Sequence, residues 1–132
     1  MIQIKNIVKT YGEQRAVDNL SLEIPDNTIF GFLGANGAGK TTTLKMLVGL
    51  SRPESGEILL GRKSPLEAEV RNTIGFLPES PTFYEYLTGF EFLEFSASLL
   101  DVSISREKVN DMLKYMGIWE EEIGRYGLTL RE

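Results

Sequence analysis

The residues best suited to chemistry stand in one run, Gly34-Ala35-Asn36-Gly37-Ala38-Gly39-Lys40-Thr41-Thr42. Its spacing is G-x-x-x-x-G-K-[ST], and each residue type has a use. Glycines at 34, 37 and 39 let a backbone turn sharply and aim successive N–H groups at one anion. A helix opening directly after the loop adds the positive end of its dipole. Lys40 can reach the outer phosphates of a polyphosphate chain as a point charge. The Thr41 hydroxyl is a hard oxygen suited to Mg²⁺. Together these parts predict a phosphate cradle. The competing explanation, a Gly-rich turn with a chance lysine, needs the flanking elements to be wrong as well.

The flanks have the expected character. Thr28-Ile29-Phe30-Gly31-Phe32-Leu33 is a short apolar run with little alternation, which predicts a strand buried on both faces as in a parallel sheet. After the loop, Leu44, Leu47 and Val48 fall at helical spacing up to Gly49, the stripe of a helix covering that strand. Upstream, Ile2, Ile4 and Ile7 and then Val17, Leu20, Leu22 and Ile24 predict two strands around the turn Tyr11–Arg15, an antiparallel ribbon. Downstream, Gly56–Gly61 and Thr73–Leu77 read as further strands. Ser64, Pro65 and Glu67 form a helix start of the N-cap, N1, N3 kind. Thr88 with Glu91 forms a second, with Leu87 placed to staple onto Phe92 and a helix running to Leu100. A third helix begins near Ser105, shows Val109, Met112, Leu113 and Met116 on one face, and stops at Gly117. The fold class expected is α/β: a P-loop NTPase core over about residues 1–80, with an N-terminal antiparallel β-ribbon, and the start of a helical subdomain over about 87–117.

Composition narrows the function. At 132 residues with 42% hydrophobic content, the chain suits one folded domain. It has no apolar run of about 18 residues, the length that spans a bilayer. Its first residues lack a signal-peptide layout, so a cytoplasmic setting is expected. With no cysteine, disulfides and thiolate metal sites are excluded. A net charge of −5 argues against a broad nucleic-acid surface, but not against a local cradle of backbone N–H groups.

The phosphate-loop string closely resembles that of ABC-transporter ATP-binding subunits, and so do its surroundings. Tyr11-Gly12 and Ala16–Leu22 resemble that family's first hairpin, and Met46–Leu50 with Pro53–Ile58 its helix and following turn. Ile74–Glu79 resembles its Q-loop, and Tyr86–Glu91 the start of its helical subdomain. The flavour is that of bacterial drug-resistance exporters.

The resemblance implies ATP with Mg²⁺ as the ligand, held by Asn36, Gly37, Ala38, Gly39, Lys40, Thr41 and Thr42. Tyr11 would stack on the adenine ring and Val17 would touch it. Thr41 and Glu79 would meet the metal. Glu79 departs from the family pattern, which has Gln there, although a carboxylate remains a sound Mg²⁺ ligand. Partners implied are a transmembrane permease subunit, holding the protein peripherally at the inner face of the cell membrane, and a second ATP-binding subunit.

The family's later parts are a signature loop, an apolar strand ending in Asp-Glu, and a switch histidine. The sequence contains no histidine and no apolar run ending in Asp-Glu. Gly124–Glu132 is only a faint match to the run into the signature loop, and Asp101 reads as a helix-end acid. The chain therefore reads as the N-terminal portion of such a domain, expected to bind ATP without hydrolysing it by itself. A non-catalytic nucleotide-binding or interaction module is the alternative, followed by another P-loop NTPase. A GTPase would show Asn-Lys-x-Asp, which is absent.

Overall fold

The computed structural model describes residues 1–80, 84 and 87–117. The chain divides into two compact units, Met1–Phe76 and Leu77–Glu132.

The first unit is built on a three-stranded sheet. Strand β1 (Ile2–Tyr11) lies between β2 (Gln14–Ile24) and β3 (Ser55–Leu60), antiparallel to both. The hairpin is tighter than the expected turn: Tyr11 pairs with Gln14, so only Gly12-Glu13 form the loop. Register shifts after Ile4 and again near Lys9 break the ladder with β2. Asn6 and Asn19 take positive φ and join through their side chains at 3.0 Å. β3 crosses this irregularity at Gly56, where φ is 82° and a Cβ would stand 2.4 Å from the Lys5 and Asn6 carbonyl oxygens. Only glycine admits that approach.

Helix α1 (Lys40–Leu47) lies against the sheet. The core it closes consists of Ile4, Ile7, Val17, Met46 and Ile58, with Leu20, Leu22 and Leu47 packed around them. Each large side chain fully buried in this way is worth roughly 1.5–3 kcal/mol. α1 stops with Gly49 N–H donating to the Met46 carbonyl and Leu50 N–H to the Lys45 carbonyl, the paired bonds of a Schellman motif.

Four expectations need correction in this unit. Thr28–Leu33 is not a strand; it pairs with no strand among the described residues, and Ile29 and Leu33 are fully or almost fully exposed. Its apolar composition suits a two-sided sheet, but a ladder needs neighbours, and the sheet observed is antiparallel and lies elsewhere. Thr73–Leu77 is likewise without ladder bonds. α1 turns Thr43 and Met46 inward, while Leu44 is exposed. The inward stripe is therefore Gly39, Thr43 and Met46, spaced four and three residues apart, with Leu47 packed beside it; of the expected stripe only Leu44 faces out. Lastly, the Ser64 start is one turn early. Glu67 Oε1 accepts from Ser64 N–H at 2.8 Å and closes a turn, and the short helix α2 (Ala68–Arg71) follows with Glu67 as its N-cap.

Of the second unit, helices α3 (Gly89–Ser98) and α4 (Arg106–Tyr115) are described. The capping box forms as the sequence predicts: Thr88 N–H donates to Glu91 Oε2 at 2.7 Å, and Glu91 N–H to Thr88 Oγ1 at 3.3 Å. α3 ends at Ser98 rather than Leu100. Ser105 caps α4 by accepting from Lys108 N–H, and Gly117 follows the C-cap with φ 75°. On the predicted apolar face Val109 is buried and Leu113 half-buried, whereas Met112 and Met116 are exposed. The Arg106 guanidinium lies 4.7 Å over the Phe90 ring and links the two helices. The run Gly124–Glu132, and Tyr86, lie outside the described residues. Among the described residues no helix is long and apolar enough to cross a membrane.

Candidate functional site

The site begins where the Gly-rich loop becomes a helix. Residues 35–38 form a turn closed by Ala38 N–H donating to the Ala35 carbonyl at 3.2 Å. Gly39 then reverses direction in the left-handed region, φ 83°, as N-cap of α1. It is buried, and a Cβ there would stand 2.1 Å from the Ala16 carbonyl oxygen and 3.1 Å from Val17 Cγ2. The third glycine is thus needed twice, for its φ and for its contact with β2.

The anchor is reinforced from inside the helix. Thr43 is buried, and its hydroxyl donates to the Gly39 carbonyl at 3.0 Å. The same carbonyl accepts Thr43 N–H at 2.9 Å. Gly39 is therefore held by backbone, side chain and packing at once. The first N–H groups of α1, from Lys40, Thr41 and Thr42, belong to a helix start and have no carbonyl of their own helix to donate to. No acidic side chain sits in that first turn to compete with an incoming anion.

Lys40 arches back over the loop. Its Nζ donates to the carbonyl oxygens of Gly34 and Ala35, both at 2.7 Å. The ammonium is thereby held at the mouth of the loop on flexible, replaceable bonds. A phosphate oxygen arriving there exchanges a neutral acceptor for a charged one, which forms the stronger bond. These two carbonyls were not singled out by spacing; the signal available was the length of the lysine stem across a six-residue turn.

The expected residues divide as follows. Asn36, Gly37, Ala38 and Thr41 are exposed around the loop, and Thr42 is half-buried behind it. Tyr11, about half exposed, stands at the tip of the β1–β2 hairpin with Lys9 Nζ 5.5 Å from its ring centre. Val17 is buried, and its Cγ2 would lie 3.1 Å from a Cβ on Gly39. Glu79 belongs to the second unit and is exposed. Among the described residues no group of three or more carboxylates is placed to hold a metal. Mg²⁺ commonly takes one or two protein oxygens and completes its shell with phosphates and water. The Thr41 hydroxyl, exposed in the first turn beside Lys40, is the donor in this unit that fits that pattern.

Comparison with known proteins gives the family. Residues 17–130 match the protein family described as ABC transporter. The ABC transporter ATP-binding protein YxlF of Bacillus subtilis, uncharacterized, is 41% identical over 96% of this chain and 43% of its own length. The bacitracin transport ATP-binding protein BcrA of Bacillus licheniformis is 34% identical over the whole chain and 44% of its own length. Among solved structures, the bacterial ABC transporter cassette MJ0796, a dimer, superposes with a TM-score of 0.75 at 27% identity, covering 92% of this chain and 59% of the cassette. MJ0796 is also known in a post-hydrolysis dimer bound to ADP and Pi, which superposes with a TM-score of 0.74. The chain spans under half the length of these two curated relatives. With a P-loop NTPase fold, a loop anchored at Gly39 and these matches, the chain belongs to the ABC transporter ATP-binding domain family.

Proposed function

We propose that this chain binds Mg-ATP and is the nucleotide-holding part of an ABC transporter subunit that couples ATP binding and hydrolysis to transport. The observation that carries the reading is the junction at Gly39. It presses the loop onto β2 and leaves the helix start and Lys40 facing outward at the same end of the unit.

In this reading the backbone N–H groups of Gly37 and of Gly39–Thr42, with the Lys40 ammonium, surround the β- and γ-phosphates. Nearly all of the fixing is done by groups already in place, which keeps the ordering cost of binding low. The Thr41 hydroxyl holds Mg²⁺, whose charge offsets that of the triphosphate. Adenine stacks on the open face of Tyr11. Val17 supports the loop from below.

The wider role rests on the relatives. BcrA is named for bacitracin transport, and MJ0796 for a dimeric cassette. We therefore place the protein in a two-cassette assembly with a permease subunit at the inner face of the membrane. Direct binding is the first test. A fluorescent ATP analogue should bind the folded chain in the presence of Mg²⁺ and be displaced by unlabelled Mg-ATP. Displacement by GTP as readily as by ATP would support another P-loop NTPase instead.

A further inference from the structure

We propose that Glu54, on the turn before β3, is a positioning residue for the adenine-stacking Tyr11; this rests on the nucleotide reading above. The ladder between β1 and β3 ends at Val8 paired with Ser55. Beyond that pair β3 offers β1 no further carbonyl. Glu54 fills the gap with both ends of its own residue. Its backbone N–H donates to the Val8 carbonyl at 2.8 Å, and its side-chain Oε1 accepts Thr10 N–H at 2.9 Å. A carboxylate thus stands where the next strand residue would have placed a carbonyl. On its other edge β1 stays paired through Thr10 with Arg15 and Tyr11 with Gln14. Thr10 is therefore held from both sides, one residue before Tyr11.

The local charges agree with this arrangement. Hydrogen bonds from Thr10 hold the Glu54 carboxyl below the usual carboxylate range against an opposing effect of burial, with lesser help from the nearby Lys9 and Arg15. Lys9 also faces one side of the Tyr11 ring at 5.5 Å. One ring face is so occupied by a cation, and the hairpin tip that carries the ring is pinned by an anion. A ring held in place loses less freedom when a base stacks on it, so base affinity depends on the pin.

The role predicts a split between ligands that have a base and ligands that do not. Affinities for Mg-ATP and for inorganic Mg-tripolyphosphate are measured for the chain and for Tyr11→Ala, Glu54→Ala, Glu54→Asp and Glu54→Gln. Glu54→Ala and Glu54→Asp should each weaken Mg-ATP by about three- to tenfold and leave Mg-tripolyphosphate within about twofold. The Asp variant keeps the charge beside Lys9 and Arg15 but is one methylene too short to reach Thr10, and it stands in if the Ala variant does not fold. Glu54→Gln retains an oxygen acceptor and should stay close to the unaltered chain. Equal loss for both ligands, or no loss for ATP, overturns the role of Glu54. If Tyr11→Ala leaves the ratio of the two affinities unchanged, the stacking assignment fails, and the positioning role with it.

Discussion

The carbonyl oxygen of Ala16 and the α-carbon of Gly39 are so close that no side chain fits between them; a Cβ on Gly39 would lie 2.1 Å from that oxygen. This contact couples the hairpin to the phosphate loop. It also explains why the motif's glycine cannot be replaced for local reasons alone. At φ 83° an L-residue costs roughly 1–2 kcal/mol. The clash with backbone adds to that, because β2 is fixed on its other edge by β1.

Gly39→Ala should accordingly lower stability by at least about 1–2 kcal/mol and abolish binding of Mg-ATP. Urea unfolding followed by nucleotide titration measures both. A variant as stable as the original, with intact affinity, would mean that the loop does not rest on β2.

The capping box of α3 offers an independent check on the second unit. Replacing Thr88 by Ala removes the acceptor for Glu91 N–H and one partner of the Glu91 carboxylate. A loss of about 1 kcal/mol in unfolding free energy is expected. Thr88→Ser should restore most of it, since the hydroxyl is what the box uses. If Ser is no better than Ala, the box is not what holds that helix start.

Much of the local geometry around the candidate site is legible in the sequence because its determinants are local. The loop spacing, the Tyr11-Gly12 hairpin end and the Thr88–Glu91 pair each lie within a few residues, and each occurs where the sequence places it. Thr28–Leu33 has a strand's composition without being one, because burial of a strand depends on what pairs with it, which no window around Phe30 contains. The inward face of α1 departs from the expected stripe for a related reason. Counting apolar residues favours Leu44, but close packing on β2 requires the small Gly39 and a hydroxyl that can satisfy itself, Thr43. The part played by Glu54 is not local, since its partner Thr10 lies 44 residues away.

The apolar residues left outside the core predict association. Ile29 and Leu33 are fully or almost fully exposed, Phe30 and Leu44 are substantially so, and the Thr28–Leu33 backbone is in no ladder among the described residues. Extended apolar segments of this kind invite pairing with another chain. Analytical sedimentation of the 132-residue chain should show self-association that grows with concentration. A monodisperse monomer melting sharply well above about 65 °C, the upper end for mesophile domains, would contradict this.

Catalysis makes demands that binding does not. Phosphoryl transfer to water needs a positioned base or water-orienting group and compensation for charge on the transferring phosphoryl. The 132 residues carry the proposed cradle, but they include no histidine and no Asp-Glu pair ending an apolar run. Turnover of Mg-ATP by this chain alone should remain at background. A steady rate of about 1 s⁻¹ or more, lost in Lys40→Ala, would show a catalytic group among these residues.

The central claim, that the loop from Gly34 to Thr42 holds a nucleotide triphosphate, is tested most directly by titrating the chain, Lys40→Ala and Tyr11→Ala with a fluorescent ATP analogue and Mg²⁺. Charge-assisted hydrogen bonds from Lys40 are worth roughly 1.5–3 kcal/mol, and base stacking on Tyr11 roughly 1–3. Each variant should therefore bind at least about tenfold more weakly, the factor that corresponds to about 1.4 kcal/mol. Unchanged affinity in Lys40→Ala would contradict the assignment of this loop as the nucleotide site.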